Sequence, residues 1–174
     1  MTKILSVLLL FIAGEASFIE WNAARKLNWN DFKSAPDPNS PNAALTNTAI
    51  NIEFGYDKSG FQYSIKCSFD KTLSWVRVKD DAVLAHEQGH FDIAELYARK
   101  LNKALKGYRF NANSVANDVN KIYNDMMTAH RDAQEVYDHE TDYSRNKIKQ
   151  EEWLKKIAAD LKDLESFAGY RKPR

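Results

Sequence analysis

The sequence predicts an α+β fold, in which a small antiparallel sheet precedes a set of long helices. Apolar and polar residues alternate along residues 46–54 and again along 61–69, which is the period of a half-buried strand. The turn-forming residues 56–60 lie between them and predict an antiparallel hairpin. From Asp81 onward, apolar residues recur every three to four positions instead, as on one face of an α-helix.

Bulk composition indicates one ordinary soluble domain. The chain has 174 residues, of which 44% are hydrophobic and 28% are charged. Its net charge of +1 argues against a nucleic-acid partner held by phosphate contacts. Cys67 is the one cysteine, so an intramolecular disulfide and a cysteine-based zinc site are both excluded.

The N-terminus has the pattern of a secretory signal peptide. A short basic start at residues 1–3 precedes an apolar run at 4–13 and small residues at 14–17. The apolar run is too short to span a bilayer. We expect a signal peptide at residues 1–17, cleaved near Ala16 or Ser17, with an uncleaved anchor or a buried helix as the alternative. The mature chain, 18–174, is then one secreted or periplasmic domain with no stable membrane insertion.

Several shorter elements are expected before the helices. Residues 18–33 are rich in aromatic side chains and predict a small packed segment, and the three prolines in residues 34–42 predict a surface loop. Residues 75–78 predict a third, shorter strand. Such a strand could pair with an extended peptide substrate. An edge strand without a ligand fits the same pattern.

A histidine-glutamate motif lies on the first long helix, which is expected to run from Asp81 to about Lys106. His86 and His90 are four positions apart and therefore share one helical face, where both imidazoles can bind one zinc ion. Glu87 lies beside them and is placed to take a proton from a zinc-bound water. The alternative is a pair of core histidines with no metal.

A catalytic zinc of this type requires a third protein ligand. Two further helices are expected, from Ser114 onward and over residues 148–164, with a bend at 141–146. The second of the three helices must supply the ligand, because Leu96 occupies the position at which an extended motif would have a histidine. Helix phase favours the first of four candidates, and the second remains open because a local distortion of the helix near Thr141 would turn it toward the same face. The candidates are Glu140, His139, His130 and Glu135.

Several segments together resemble a known family. They are residues 29–33, 44–46, 74–76, 86–95 and 137–141, with Gln150 and Trp153. The chain resembles the bacterial family DUF922, whose members are described as predicted secreted zinc-dependent proteases. The resemblance implies a zincin-like domain with His86 and His90 as zinc ligands and Glu87 as the base. Tyr143 stands where that family commonly has a histidine, and a tyrosine there could stabilise an oxyanion.

The sequence therefore predicts a secreted zinc metallopeptidase that acts on a peptide or protein substrate. A different class remains open, namely a non-catalytic secreted binding domain with a structural metal site or a metal-free histidine core. A zinc hydrolase of non-peptide amides is a third reading. An open coordination position on bound zinc would favour an enzyme, and closed coordination or no metal would favour the binding domain.

Overall fold

The computed structural model describes residues 17–58 and 60–171 and has the predicted α+β fold, with two small antiparallel sheets and three long helices. The predicted signal peptide lies outside the described residues except for Ser17. Within the described ranges, no helix has the length and apolar character needed to cross a membrane.

The larger sheet has three strands in the order β1 (Phe18–Glu20), β4 (Gly60–Asp70) and β3 (Thr48–Asp57). Strands β3 and β4 form the predicted hairpin, with Asp57 paired to Gly60 at its tip. Gly60 has a φ of 110°, a conformation that favours glycine. The short strand β1 adds to the other edge of β4, so part of the aromatic segment at 18–33 belongs to the sheet.

The third predicted strand belongs to a separate sheet. Strand β5 (Trp75–Val76) pairs antiparallel with β2 (Ala44–Leu45) and not with the hairpin. The proline-rich loop before β2 is fixed by Arg77, whose guanidinium donates to the backbone carbonyls of Ser40 at 2.7 Å and of Asp37 at 2.5 Å. The smaller sheet and its loop therefore have a defined position.

Helix α1 (Asp81–Gly107) packs against the larger sheet and is the central element of the fold. The Asp80 side chain caps it by accepting hydrogen bonds from the backbone N–H groups of Ala82 and Val83. Phe91 on α1 contacts Phe69 on β4, with ring centroids 5.9 Å apart. The helix thus buries its apolar face on the sheet while its other faces meet the remaining helices.

Helices α2 (Val115–Thr141) and α3 (Lys147–Asp163) are joined by a tight turn where a bend was predicted. Asp142, Tyr143 and Ser144 have φ values of 49°, 51° and 76°, the left-handed region. Non-glycine residues pay about 1–2 kcal/mol each for this conformation. The Tyr143 N–H donates to the carbonyl of Asp138 at 2.9 Å, and Arg145 forms two hydrogen bonds with the Asp142 carboxylate. These contacts hold the strained turn against the end of α2.

Candidate metal centre

Three potential ligand atoms converge between α1 and α2. The two Nε2 atoms of His86 and His90 are 3.1 Å apart, and Oδ1 of Asp138 lies 3.0 Å from the first and 2.9 Å from the second. Two ligands bound 2.0–2.1 Å from a tetrahedral zinc are about 3.3 Å apart. The three atoms are therefore spaced as the ligands of a single ion are.

Hydrogen bonds from α2 orient the His90 ring. Gln134 Nε2 donates to the backbone carbonyl of His90 at 3.0 Å, which identifies Oε1 as the other end of the amide. This Oε1 lies 2.6 Å from His90 Nδ1, so Nδ1 must carry a proton and donate it. In a neutral ring the proton is then absent from Nε2, which is left as a bare acceptor facing Asp138.

His86 is oriented in a similar way by Thr141. The Thr141 hydroxyl donates to the carbonyl of Tyr137 at 2.6 Å, and its oxygen lies 3.4 Å from Nδ1 of His86. Because that hydroxyl proton is already used, the oxygen accepts from Nδ1–H. Both histidines thus direct an Nε2 lone pair toward one point.

Tyr137 fixes the position of the His86 ring and explains the glycine inside the motif. Its fully buried ring stacks on His86 with centroids 4.6 Å apart and an interplanar angle of 14°. Its hydroxyl donates to the His86 carbonyl at 3.3 Å. A Cβ atom on Gly89 would lie 2.3 Å from that hydroxyl oxygen. Only glycine at position 89 leaves room for this tyrosine.

The charges in the cluster favour a cation. Burial acts to raise the pKa of Asp138, but the facing His86 and His90 rings outweigh it and hold the pKa well below its usual range. Burial acts to lower the pKa of His90, whereas Asp138 and Glu87 raise it, with a net increase. A carboxylate that stays ionised beside two bare nitrogens attracts either a metal ion or a proton.

Glu87 lies beside the cluster on α1 and is 4% exposed. Within the residues that the structure describes, its Oε2 is buried and has no hydrogen-bond partner. Glu87 and the three clustered residues line one pocket of about 350 Å³. Residues 42–48 line this pocket together with residues of α1 and α2. The pocket thus gives a ligand access to the cluster and to Glu87.

The structure does not place Glu140 with the histidines, which corrects the expected third ligand. Its carboxylate accepts a hydrogen bond from Nε1 of Trp153 at 2.7 Å, on the exposed side of α2. Glu140 follows Asp138 by two residues, which is about 200° around a helix. Asp138 occupies the position in the cluster that was expected of Glu140.

The other candidates for the third ligand lie outside the cluster of three residues. His139 is exposed and is not one of the three clustered residues. His130 and Glu135 line the pocket outside the cluster. Tyr143 also lines the pocket, with 47% of its surface exposed. His86, Glu87 and His90 lie together as predicted.

Asp138 is the residue that sequence reasoning missed, although a signal for it exists. His130, Gln134 and Asp138 recur every four residues and form a polar line along α2, beside its apolar stripe. All three line the same pocket. A polar line of this kind, next to an apolar face, indicates a helix that meets a buried polar partner.

The family model of DUF922, described as a bacterial protein of unknown function, matches residues 21–145. The chain belongs to the DUF922 family. The matched region contains the whole cluster, Glu87 and Tyr143, so the candidate metal centre lies within the DUF922 part of the chain. No curated protein and no solved structure matches the chain.

Proposed function

We propose that this DUF922 protein is a secreted zinc-dependent metallopeptidase. One observation carries the proposal: two bare imidazole nitrogens and an ionised carboxylate oxygen converge within 3.1 Å of one another, beside a buried glutamate, in an open pocket. The predicted signal peptide supports a site of action outside the cytoplasm.

The donor set fits zinc. His86, His90 and Asp138 would hold the ion, and three protein ligands with one side open to a pocket is the arrangement of catalytic rather than structural zinc sites. Harder cations such as Mg²⁺ and Ca²⁺ prefer an all-oxygen set, whereas two imidazoles suit zinc. When bound, zinc supplies Lewis-acid chemistry, which lowers the pKa of a water molecule to about 7 and polarises a carbonyl group.

Glu87 is assigned the role of general base. Its carboxylate takes a proton from the water whose oxygen adds to the scissile carbonyl carbon, and it passes that proton to the leaving nitrogen as the C–N bond breaks. The products are a carboxylate and an amine. The unpartnered Oε2 supports this role, because a purely structural buried carboxylate would be paired. Tyr143, at the pocket rim, is proposed to hydrogen-bond the oxyanion.

The test is Glu87→Gln in zinc-loaded protein. The amide keeps the shape of the side chain but cannot accept the proton, so cleavage of a peptide library should fall about 10²–10⁴-fold. Zinc content, measured by elemental analysis, should stay at one per chain. Glu140→Gln is the matched control, since this exposed carboxylate bonds Trp153, and it should change neither quantity. Wild-type protein that binds zinc but cleaves no peptide would refute the proposal, as would full activity in Glu87→Gln.

A non-catalytic binding domain is the second candidate. It is favoured by the close approach of Asp138 to both imidazoles, because one proton shared among these three groups would also satisfy the cluster. In that case, protein purified in the presence of zinc would contain none. A library that includes non-peptide amides separates the peptidase from an amidase of other substrates.

A further inference from the structure

We propose that His130 is a further catalytic residue, a neutral imidazole whose Nδ1–H donates a hydrogen bond to the carbonyl oxygen of the peptide substrate. The inference deepens the proposed peptidase function and rests on it. Three observations support it: the tautomer that Gln134 imposes on the ring, the free second nitrogen, and the place of the ring in the pocket.

The tautomer follows from the Gln134 amide. Its Nε2 donates one hydrogen to the carbonyl of His90, a group that only accepts. The same Nε2 lies 2.9 Å from Nε2 of His130 and has a second hydrogen to donate there. His130 Nε2 is therefore an acceptor, and a neutral ring must carry its proton on Nδ1.

The Nδ1–H of His130 is available to a ligand. Among the described residues, the hydrogen bonds of His130 consist of the one through Nε2, which leaves Nδ1 without a protein partner. The ring packs beside Tyr97, with centroids 5.5 Å apart, and lines the same pocket as Glu87 and the three ligand residues. A fixed donor in the wall of the pocket is thus placed to meet a bound carbonyl group.

His130 also stays neutral at physiological pH. Burial, and then the neighbouring charge of His90, lower the pKa of His130 to about 4. A neutral donor holds its proton, so its hydrogen bond strengthens as negative charge develops on the carbonyl oxygen. Such a contact lowers the barrier to water addition more than it strengthens substrate binding.

Two substitutions distinguish a direct hydrogen bond from His130 to the substrate from an indirect effect in which His130 only positions Gln134. His130→Gln places an amide near Nε2, where its oxygen can still accept from Gln134, but it removes the donor at the δ position. His130→Asn places an amide nitrogen at the δ position and removes the acceptor for Gln134. We expect the glutamine variant to keep its zinc affinity and the Nδ1–H tautomer of His90, measured by ¹⁵N NMR of the metal-free protein, while kcat/KM for a cleaved library peptide falls about 100-fold.

The asparagine variant should show the opposite profile, with weaker zinc binding but more turnover per bound zinc than the glutamine variant. In the glutamine variant, the loss should lie in kcat rather than in KM. His139→Gln is the matched control, because this histidine is exposed at the end of α2 and outside the cluster, and it should match wild type.

Three results would overturn the role of His130. They are wild-type kcat/KM in His130→Gln, losses in both variants that follow zinc content alone, and equal activity of the two variants per bound zinc. Each of these leaves the peptidase itself intact. By contrast, a zinc-loaded wild-type protein that cleaves nothing refutes the peptidase and, with it, the step in which His130 acts.

Discussion

Helix α1 carries two clusters of buried polar residues. The clusters differ in whether their polar atoms find hydrogen-bond partners within the protein. Toward its N-terminal end, His86, Glu87 and His90 face Asp138 and a pocket, and we call these four residues the open cluster. Further along, Asp92, Glu95 and Arg99 meet Trp21 and Tyr170, and we call these five the closed network. Both lie on one helix, yet only the open cluster has acceptors that face one another.

The closed network has its charged atoms paired with other groups of the protein. Arg99 Nε donates to Glu95 at 2.9 Å, and the other Glu95 oxygen accepts from the Tyr170 hydroxyl. Arg99 also donates to the carbonyl of Leu161, and Trp21 Nε1 donates to Asp92 at 2.6 Å. A network whose atoms are paired within the protein needs no bound ligand and serves stability.

The difference shows how buried polar residues can be sorted. Folded proteins pair nearly all their buried polar atoms, so acceptors that converge without a hydrogen between them require an external partner. The open cluster has this property at His86, His90 and Asp138, and the closed network does not. Substitutions in the network should therefore cost stability, whereas substitutions in the cluster should cost metal binding. Three variants test this division.

Arg99→Met should have the largest effect on stability. It removes the cation from a fully buried glutamate, and breaking a buried ion pair costs about 3–5 kcal/mol. Urea unfolding measures the loss, and the folded fraction should keep one zinc per chain. Lys121→Met is the control, because the Lys121–Asp125 pair is exposed and should contribute little. If Arg99→Met and wild type have equal stability, the network does not stabilise the fold as we expect.

Asp138→Asn should weaken zinc binding with a smaller effect on folding. The amide has the shape of the carboxylate but lacks its charge. Substituting a residue that only hydrogen-bonds a metal ligand typically lowers metal affinity about 10–100-fold. Because Asp138 would bind the ion directly, we expect its zinc affinity to fall by more than about 100-fold. Competition with a chromogenic chelator measures it. The exposed Asp132 on the same helix provides the control Asp132→Asn. If both variants bind zinc as wild type does, Asp138 is not a ligand.

Gly89→Ala should have the smallest effect, and it should reduce both folding stability and zinc binding. The added Cβ would lie 2.3 Å from the Tyr137 hydroxyl oxygen. Such overpacking lowers the free energy of unfolding by about 1–3 kcal/mol, whereas the better helix propensity of alanine raises it by about 1 kcal/mol. Displacing Tyr137 should also shift His86 and weaken zinc binding several-fold. Gly107→Ala is the control, since a Cβ there meets no atom within 4 Å. A stabilised Gly89→Ala with normal zinc affinity would contradict the packing argument.

Local patterns were enough to predict much of the fold. Period-two alternation identified the β3–β4 hairpin, and helical periodicity from Asp81 onward identified α1. The partner of β5 was not predictable, because pairing with β2 depends on how the chain folds back over about 30 residues. Strand β2, which has two residues, carries too little alternation to be recognised.

The candidate site likewise has a part that could be predicted from the sequence and a part that could not. His86, Glu87 and His90 lie within one helical turn and a half, so helix geometry alone brings them together. Asp138 comes from a second helix, and periodicity shows which residues share a face without showing how two helices cross. The apolar stripe drew attention to Glu140, whereas the polar line beside that stripe carries Gln134 and Asp138, which contact the two histidines of α1.

The left-handed turn after α2 restricts how this chain can vary in length. Asn146 N–H returns to the Thr141 carbonyl at 2.8 Å, and Gln150 on α3 donates to the Ala82 carbonyl at 2.7 Å, which ties α3 to the start of α1. An inserted or deleted residue between Thr141 and Asn146 would break one of these links and displace the nearby aspartate. Affinity tags and fluorescent labels therefore belong at the β3–β4 hairpin tip, where added length moves none of the clustered residues.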